Sequence, residues 1–374
     1  MSVALRQLRE DEAFPPEAGG VAPSRRRGRG AQSNRSGRFE PVAYESVDDG
    51  WDSLAELQAL ATEVQEVPAR RIITRNSSPD IGFDRSINPY RGCEHGCIYC
   101  FARPTHAFFG LSPGLDFETK LFAKTNAAAA LERELADPKY KVATIAIGTN
   151  TDPYQPIEKR YRIMRRILEV LSAANHPVGI VTKSALVLRD LDILASMAKR
   201  GLVKVALSVT TLDAKLARAM EPRASTPNRR LETLKQLTEA GVPTSVMVAP
   251  VIPGLTDMEL ERILERAAAA GVTGAGYVLL RLPLEIGDLF GEWLTTNCPD
   301  RASRVLSLMR STRGGKLYDA KFGERMTGVG PYAWMIGRRF EMAAERLGLN
   351  RQPIKLRTDR FTPPVLAGHQ MRLF

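Results

Sequence analysis

The sequence has few cysteines and no long apolar run. Four cysteines in 374 residues cannot form a disulfide scaffold, and three of them lie within eight positions of one another. No stretch approaches the roughly 18 apolar residues that a membrane-spanning helix needs. The N-terminal residues also lack the apolar core and the cleavage site of a secretory signal. These absences favour a cytoplasmic protein whose clustered cysteines bind a metal cofactor under reducing conditions.

Positive charge is concentrated at the two ends of the chain. The net charge is +11, of which residues 1–38 contribute +4 and residues 351–374 another +4, so the long middle part carries only +3. With 44% hydrophobic and 25% charged residues, the composition is that of a globular protein. The distribution indicates basic arms on a nearly neutral body rather than a globally basic nucleic-acid-binding domain.

The N-terminal 40 residues mix Pro, Gly, Ser and Arg with almost no apolar periodicity. Such a segment buries too little surface to offset its ordering entropy, so we predict a disordered Arg-rich tail over residues 1–40. It would act either as a solubility tail or as an electrostatic arm that contacts phosphate backbones. An irregular lead-in is expected over residues 41–83, with one short helix near residues 54–64.

From residue 84 onward, short runs rich in Val and Ile alternate with longer amphipathic segments. The apolar runs predict strands over residues 85–89, 142–147, 178–182, 203–209, 244–250 and 276–280. The amphipathic segments predict helices over residues 158–174, 190–199, 227–240 and 257–270. In three units a glycine ends the helix shortly before the next strand begins, namely Gly201, Gly241 and Gly271.

About six consecutive βα units predict an α/β fold over residues 84–285, as an open parallel sheet or a barrel with fewer strands than the closed eight-fold form. A C-terminal helical extension is expected over residues 286–350, with its last helix at about 332–347. A basic tail follows over residues 351–374, and His369 within it has no assignable role.

The segment RGCEHGCIYCFAR places Cys93, Cys97 and Cys100 in a C-x3-C-x2-C pattern directly after the first predicted strand. Ligand sites of α/β folds are built at that strand-to-helix edge, and three thiolates on a tight loop can converge on one soft metal centre. Three interpretations are open: a structural zinc site with His95 as a fourth ligand, thiols without a metal, or an iron–sulfur cubane with one iron left without a protein ligand. The fourth cysteine, Cys298, lies almost 200 residues away.

With an aromatic residue before its last cysteine, this pattern resembles that of the radical S-adenosylmethionine (radical SAM) superfamily. The motifs over residues 86–277 are similar to those of its spore photoproduct lyase-like branch. The resemblance implies a partial (β/α)6 barrel of the TIM type, a 4Fe–4S cluster on the three cysteines and SAM on the open iron. It further implies reductive cleavage of SAM to a 5′-deoxyadenosyl radical, which abstracts hydrogen from a substrate. A flavodoxin- or ferredoxin-like electron donor is the expected partner.

The resemblance also assigns SAM contacts residue by residue. Tyr99 matches the aromatic position against adenine. The segment GTNTDPYQP matches the one that holds the SAM amino group and offers Thr149, Asn150, Thr151 and Asp152; the alternative for this segment is a turn with a helix N-cap. Lys183 in VTKS and Ser208 in LSVTT match the carboxylate and ribose contacts. Arg223 in EPRAS is a candidate anion contact or a salt-bridged surface residue. The apolar segment at residues 248–254 and Tyr277 are expected beside the adenine.

The sequence departs from the lyase pattern at one position that matters for chemistry. The lyase returns a hydrogen atom to its product radical from a cysteine, and Asn150 stands at the matching position here. Because an amide N–H bond is too strong to donate a hydrogen atom to a carbon radical, thymine-photoproduct repair by that mechanism is not expected. Cys298 is interpreted as an incidental loop thiol and His176 as a helix-terminal histidine, while His106, Phe108 and Phe109 either shape a substrate pocket or belong to the core.

The sequence therefore predicts a cytoplasmic radical SAM enzyme. The lyase resemblance and the two Arg-rich ends favour a nucleic-acid substrate. A peptide or small-molecule substrate is the alternative within the enzyme class, and a non-catalytic iron–sulfur or zinc module of a nucleic-acid-binding protein is the alternative outside it.

Overall fold

A computed structural model describes residues 19–40 and 59–366 of the chain. The described residues form ten strands: β1 (Glu63–Glu66), β2 (Ile73–Arg75), β3 (Arg85–Ile87), β4 (Tyr90–Arg91), β5 (Lys120–Ala123), β6 (Ile145–Ile147), β7 (Val178–Thr182), β8 (Val203–Ser208), β9 (Thr244–Val251) and β10 (Gly274–Leu279). Seven of them make one sheet in the order β10-β9-β8-β7-β6-β3-β2. All neighbours in it pair in parallel except β2, which runs antiparallel to β3 at the edge. The predicted run of six parallel strands in a partial barrel is confirmed.

Helices cover the outer face of this sheet and continue after its last strand. The described α-helices are α1 (Asp116–Thr119), α2 (Ala127–Leu135), α3 (Glu158–Tyr161), α4 (Ile163–Ala173), α5 (Leu191–Lys199), α6 (Ala214–Met220), α7 (Pro227–Glu239), α8 (Leu260–Ala269), α9 (Ile286–Asn297), α10 (Pro299–Ser311) and α11 (Gly330–Arg346). Short 3-10 helices lie at Arg103–Phe109, Ala185–Asp190 and Asp257–Glu259. The apolar sides of the βα helices and of the strands form one continuous buried core. None of the described helices is both long and apolar enough to cross a bilayer.

The predicted glycine stops end three of the helices. Gly201, Gly241 and Gly271 have φ angles of 72°, 77° and 83°, a left-handed conformation that carries no steric cost in glycine. Each glycine N–H donates to a carbonyl of the last helical turn at 2.9 Å. The chain then reverses directly into the following strand, which produces the alternation of helices and strands that the sequence predicts. One predicted helix is interrupted, because Arg162 adopts a left-handed φ of 49° between α3 and α4.

Residues 19–40 correct the expectation of a disordered tail for this part of the chain. They follow an irregular path against the loop that carries the three cysteines, and Ala31 is completely buried. Two of its arginines are bonded to distant parts of the protein: Arg29 donates to the Glu118 and Leu60 carbonyls, and Arg38 ion-pairs with Glu285. These partners are remote in sequence, so composition does not reveal them. Residues 1–18 of the predicted tail lie outside the described residues.

Two further segments differ from or extend the predictions. Residues 54–58 of the helix expected near residues 54–64 lie outside the described residues, and its end is the strand β1, which pairs in parallel with β5. At the other end of the chain, residues 351–366 run along the sheet's amino end, where Arg357 N–H bonds to Gly201 O and Thr362 N–H to Ala174 O. Residues 367–374, which include His369, lie outside the described residues.

His176 is a buried structural residue beside this C-terminal segment. Its Nδ1 lies 3.0 Å from the Pro177 carbonyl and its Nε2 lies 2.7 Å from the Tyr140 hydroxyl. Because a carbonyl only accepts, Nδ1 carries the proton and Nε2 accepts from Tyr140. Burial lowers the pKa of His176 to about 4, so the folded protein holds a neutral imidazole.

This histidine predicts a pH-dependent stability. Its folded-state pKa lies below the unfolded value of about 6.5, so its contribution is complete above pH 6.5 and is lost as the pH falls towards 4, by up to about 3 kcal/mol. We expect the loss in thermal midpoint between pH 7 and pH 4.5 to be smaller in His176→Gln than in the wild type. Equal losses in the two proteins would contradict the assignment.

Candidate active site

A cavity of about 910 Å³ opens at the carboxyl ends of the parallel strands. Carboxyl ends of strands are the edge at which barrels of this kind place their chemistry. Nine of the eleven predicted site residues line the cavity: Cys93, Cys97, Tyr99, Cys100, Thr149, Asn150, Asp152, Lys183 and Ser208. They come from the loops after β4, β6 and β7 and from the end of β8. The fold therefore gathers residues more than a hundred positions apart around one space.

The cysteine loop brings three thiols to this cavity without exposing them. Cys93 and Cys97 are buried and Cys100 is half-buried. Gly96 has a left-handed φ of 66°, and a Cβ there would lie 2.6 Å from Glu118 Oε2. Burial raises the pKa of all three thiols, and Asp152 and the other two cysteines raise that of Cys93 further.

Thiols that disfavour one another's ionisation in a buried site fit a multi-iron group, whose positive charge would stabilise three thiolates together. The described residues contain no set of three or more His, Cys, Asp and Glu side chains grouped around a single metal ion. Soft sulfur donors on one loop match the donor set of an iron–sulfur cluster.

Asp152 connects the cysteine loop to the neighbouring strand. Its carboxylate accepts hydrogen bonds from the Thr182 hydroxyl and the Lys183 N–H, both at 2.7 Å, and lies 3.4 Å from Nδ1 of His95. Burial alone would raise its pKa, but the imidazole and these donors outweigh burial and lower the pKa of Asp152 to about 2. Both oxygens are engaged, so this carboxylate orients the loop, and Thr149 and Asn150 are the more open polar side chains of the segment.

Two predicted cofactor contacts lie outside the cavity. Thr151 is buried and donates its hydroxyl to the Tyr90 carbonyl at 2.9 Å. Arg223 ion-pairs with Glu94 at 2.8 Å and donates to the Gly28 carbonyl at 3.3 Å. Their partners belong to β4, the cysteine loop and the N-terminal segment, which sequence proximity could not show. Thr151 and Arg223 therefore hold the walls of the site rather than face into it.

A buried charged network fixes the wall of the cavity at the end of β8. The Tyr99 hydroxyl donates to Glu221, which also accepts from Thr210 at 2.7 Å and from Arg230. Arg230 is almost completely buried and donates to the Ser208 carbonyl at 3.0 Å. The orientation of Tyr99 and Ser208 is thus set by two residues that the sequence analysis missed as site residues. Glu221 lies in the EPRAS segment that was noted for Arg223, whereas Arg230 occupies an ordinary helical position.

Lys183 is a cation of the cavity wall that lies close enough to Cys97 for the two groups to influence each other's pKa. Its Nζ lies 5.8 Å from the centre of the Tyr99 ring and 3.4 Å from the Ala249 carbonyl. Burial lowers the pKa of Lys183, and the nearby Cys97 partly offsets this effect. A half-buried ammonium without a carboxylate hydrogen bond is suited to bind an anionic ligand group.

Residues 19–40 form what we call the N-terminal strap, which supports the cysteine loop from behind. The N–H groups of Gly30 and Ala31 donate to the two oxygens of Glu118, each at 2.8 Å. Arg103 ion-pairs with the same carboxylate at 2.5 Å and donates to the Cys97 carbonyl at 2.9 Å. Both charged side chains are completely buried. One carboxylate therefore joins the strap, the 3-10 helix and the cysteine loop.

Several other predicted residues do not enter the site. His106 is buried among phenylalanine rings and its Nε2 lies 2.8 Å from the Lys120 carbonyl, so it belongs to the core. Cys298 lines a separate cavity of about 380 Å³ beside α6 and α10. Tyr277 packs on Phe340 outside the main cavity, whereas Ala249 and Pro250 of the apolar segment line it.

The strap predicts that adding one methyl group at Gly30 disturbs the cysteine loop. A Cβ at Gly30 would lie 1.9 Å from the Gly96 carbonyl oxygen, whereas a Cβ at Gly82 would meet no atom within 4 Å. We expect Gly30→Ala to lower the free energy of unfolding by about 1–3 kcal/mol and to reduce iron content. Gly82→Ala, the control, should change neither. Equal iron content and melting temperature in all three proteins would show that the strap does not support the loop.

Comparison with known proteins agrees with this geometry. The radical SAM superfamily profile matches residues 87–267. An uncharacterized protein of Mycobacterium tuberculosis is 43% identical over 230 residues, which are 61% of this chain and 68% of that protein. A protein of Pseudomonas phage M6 named radical SAM Nalpha-GlyT isomerase is 25% identical over 307 residues, 74% of this chain and 62% of that one.

Among solved structures, a spore photoproduct lyase mutant with bound AdoMet and dinucleoside spore photoproduct has a TM-score of 0.56 at 14% identity, covering 76% of this chain and 80% of that chain. At this identity the similarity concerns the fold, and the fold agrees with the profile match. The parallel sheet, the three thiols that line its cavity and the matched profile lead to one conclusion: the chain contains a domain of the radical SAM superfamily, over residues 87–267.

Proposed function

We propose that this protein cleaves SAM reductively at a 4Fe–4S cluster on Cys93, Cys97 and Cys100 and uses the resulting radical to abstract hydrogen from a nucleic-acid substrate. The observation that carries the proposal is the position of the three thiols. They lie on one loop and line one cavity at the carboxyl ends of six parallel strands. A binding module would not need a cavity of about 910 Å³ beside its metal ligands, whereas a cofactor and a substrate together would.

The residues of the cavity fit both cofactors. Three thiols from one loop leave one iron of a cubane without a protein ligand, and Lys183 and Ser208 on neighbouring strands can bind a carboxylate. When bound, the cluster supplies the electron that cleaves SAM to methionine and a 5′-deoxyadenosyl radical. A flavodoxin- or ferredoxin-like protein is the proposed source of that electron.

The chain's own side chains would bind and orient SAM. Lys183 would pair with its carboxylate and Ser208 would donate to the carboxylate or to the ribose. Thr149 and Asn150 would offer oxygen acceptors to the ammonium group. Tyr99, whose hydroxyl is anchored by Glu221, would present its ring to the adenine. The apolar residues Ala249 and Pro250 line the same cavity and would exclude water from the radical.

Two observations support a nucleic-acid substrate. Six cationic side chains line the cavity, namely Arg75, Arg91, Lys124, Lys183, Arg281 and Arg325, against the single carboxylate of Asp152. A cationic cleft attracts polyanions. The structurally similar lyase was solved with a dinucleoside photoproduct. Because Asn150 replaces the hydrogen-donating cysteine, the proposed reaction on nucleic acid is other than photoproduct repair.

The proposed chemistry predicts a difference between two cysteines of the same chain. We expect anaerobically purified wild-type protein reduced with dithionite to convert SAM to 5′-deoxyadenosine. Cys97→Ala should lose most of its iron and this activity while it stays folded, because a cluster ligand is missing. Cys298→Ala is the control and should retain both, since its thiol lines a separate cavity.

The measurements are iron per protein, absorbance near ~400 nm, which is typical of iron–sulfur clusters, and 5′-deoxyadenosine by chromatography. A colourless protein that contains zinc and forms no 5′-deoxyadenosine would instead identify a non-catalytic module. Full iron content in Cys97→Ala would refute the ligand assignment.

A further inference from the structure

The exposed phenylalanines of this protein share one unusual feature. Every phenylalanine that is strongly exposed among the described residues has an arginine guanidinium within 5.3 Å of its ring centre: Phe39, Phe101, Phe108, Phe109 and Phe322. An exposed aromatic ring covered by a cation presents apolar area and positive charge at one place. In two of these pairs the arginine lines the cavity and, among the described residues, has no carboxylate partner: Arg281 with Phe101, and Arg91 with Phe109.

These two pairs, together with Lys124, form what we call the aromatic–arginine rim. Arg281 lies 4.7 Å over Phe101, which directly follows the cluster cysteine Cys100 in the chain. Arg91 lies 4.6 Å over Phe109. Phe101 and Phe109 are 44% and 40% exposed. Arg91, Lys124, Arg281 and Phe101 line the cavity.

The three cations of the rim differ from the other arginines near the cavity in their partners. In the described part of the chain, no carboxylate hydrogen-bonds or ion-pairs with Arg91, Lys124 or Arg281. Arg325, by contrast, is held by both oxygens of Asp80. The Lys124 ammonium donates only to the Asn88 carbonyl, at 2.7 Å. Burial, followed by the charge of Arg91, lowers the pKa of Lys124 to about 8. Arranged in this way, the charges are complementary to a bound anion.

Bound cofactors would not neutralise the positive charge of the rim. A cubane on three thiolates is net anionic and SAM is net cationic, so the two largely offset each other. Of the residues beside them, the Lys183 ammonium and the Asp152 carboxylate also have opposite charges. The charges of Arg91, Lys124 and Arg281 therefore remain for a third ligand, which is the substrate.

We propose that the aromatic–arginine rim binds an unpaired, single-stranded segment of nucleic acid, with phosphates on Arg91, Lys124 and Arg281 and bases stacked on Phe101 and Phe109. Cations that follow a backbone, interleaved with exposed aromatic faces, are the means by which proteins bind single strands. In a duplex the base faces are covered by their neighbours, so duplex DNA could use the cations but not the rings. The inference rests on the proposed function, because it places the target nucleotide beside the SAM site.

The test is binding of a fluorescent twenty-nucleotide oligothymidylate to the full-length protein, measured anaerobically by anisotropy at several salt concentrations without reductant. We expect Arg91→Gln/Arg281→Gln to weaken binding by roughly 10-fold or more and to reduce the slope of log K against log salt by about 1.4, since each lost phosphate contact removes about 0.7. The control Arg229→Gln/Arg262→Gln removes the same charge from exposed positions on α7 and α8 and should retain the wild-type slope and affinity.

A second variant separates stacking from charge. Phe101→Leu/Phe109→Leu leaves every cation in place, so we expect about 10-fold weaker binding to the single strand with an unchanged salt slope. Binding of a twenty-base-pair duplex should be weaker and insensitive to this variant. Equal affinity of the rim and control variants, or a wild-type preference for the duplex, would overturn the proposal. Formation of 5′-deoxyadenosine by the wild type, measured separately, shows whether the proposed function itself holds.

Discussion

A single buried carboxylate, Glu118, joins the N-terminal strap and the 3-10 helix at Arg103–Phe109 to the cysteine loop. Its two oxygens accept from the N–H groups of Gly30 and Ala31, and it ion-pairs with the buried Arg103. Arg103 in turn donates to the carbonyls of Gly96 and Cys97. A buried charge is tolerated only when its partners are complete. The N-terminal strap therefore supports the cysteine loop structurally, because removing it would take two N–H donors from the buried carboxylate of Glu118.

This arrangement changes the meaning of the basic N-terminal segment. The composition of this segment is typical of an electrostatic arm that contacts phosphate backbones. Its residues Arg29 and Arg38, however, are bonded within the protein. Among the described residues, the cations that line the cavity without a carboxylate hydrogen bond come instead from β4 and from the loops after β5, β7 and β10. The nucleic-acid substrate that we propose would thus be bound by the site itself, beside the cysteines, where these cations could position the reacting atom as well as attract the substrate.

Local patterns predicted the βα units and the cysteine loop well, because each depends on residues that are close in sequence. Gly201, Gly241 and Gly271 end helices through hydrogen bonds within one turn, and the cysteines share one short loop. Contacts between distant residues were not predictable. In the sequence Arg230 resembles any polar residue of a helix, yet its side chain is buried and donates to Glu221. Thr151 donates its hydroxyl to the Tyr90 carbonyl of β4 and does not face the cavity. The resemblance pointed to segments that line the cavity, but the directions of their side chains depend on tertiary partners.

The central claim is that three thiols hold a cluster with one iron open to SAM. Electron paramagnetic resonance of the dithionite-reduced wild-type protein, recorded before and after addition of SAM, tests it most directly. The account predicts the signal of a reduced cubane cluster whose g-values shift on addition of SAM and whose hyperfine structure broadens when the SAM carboxylate carries oxygen-17. A cluster signal that SAM leaves unchanged, or no iron–sulfur signal in intact protein, would contradict it.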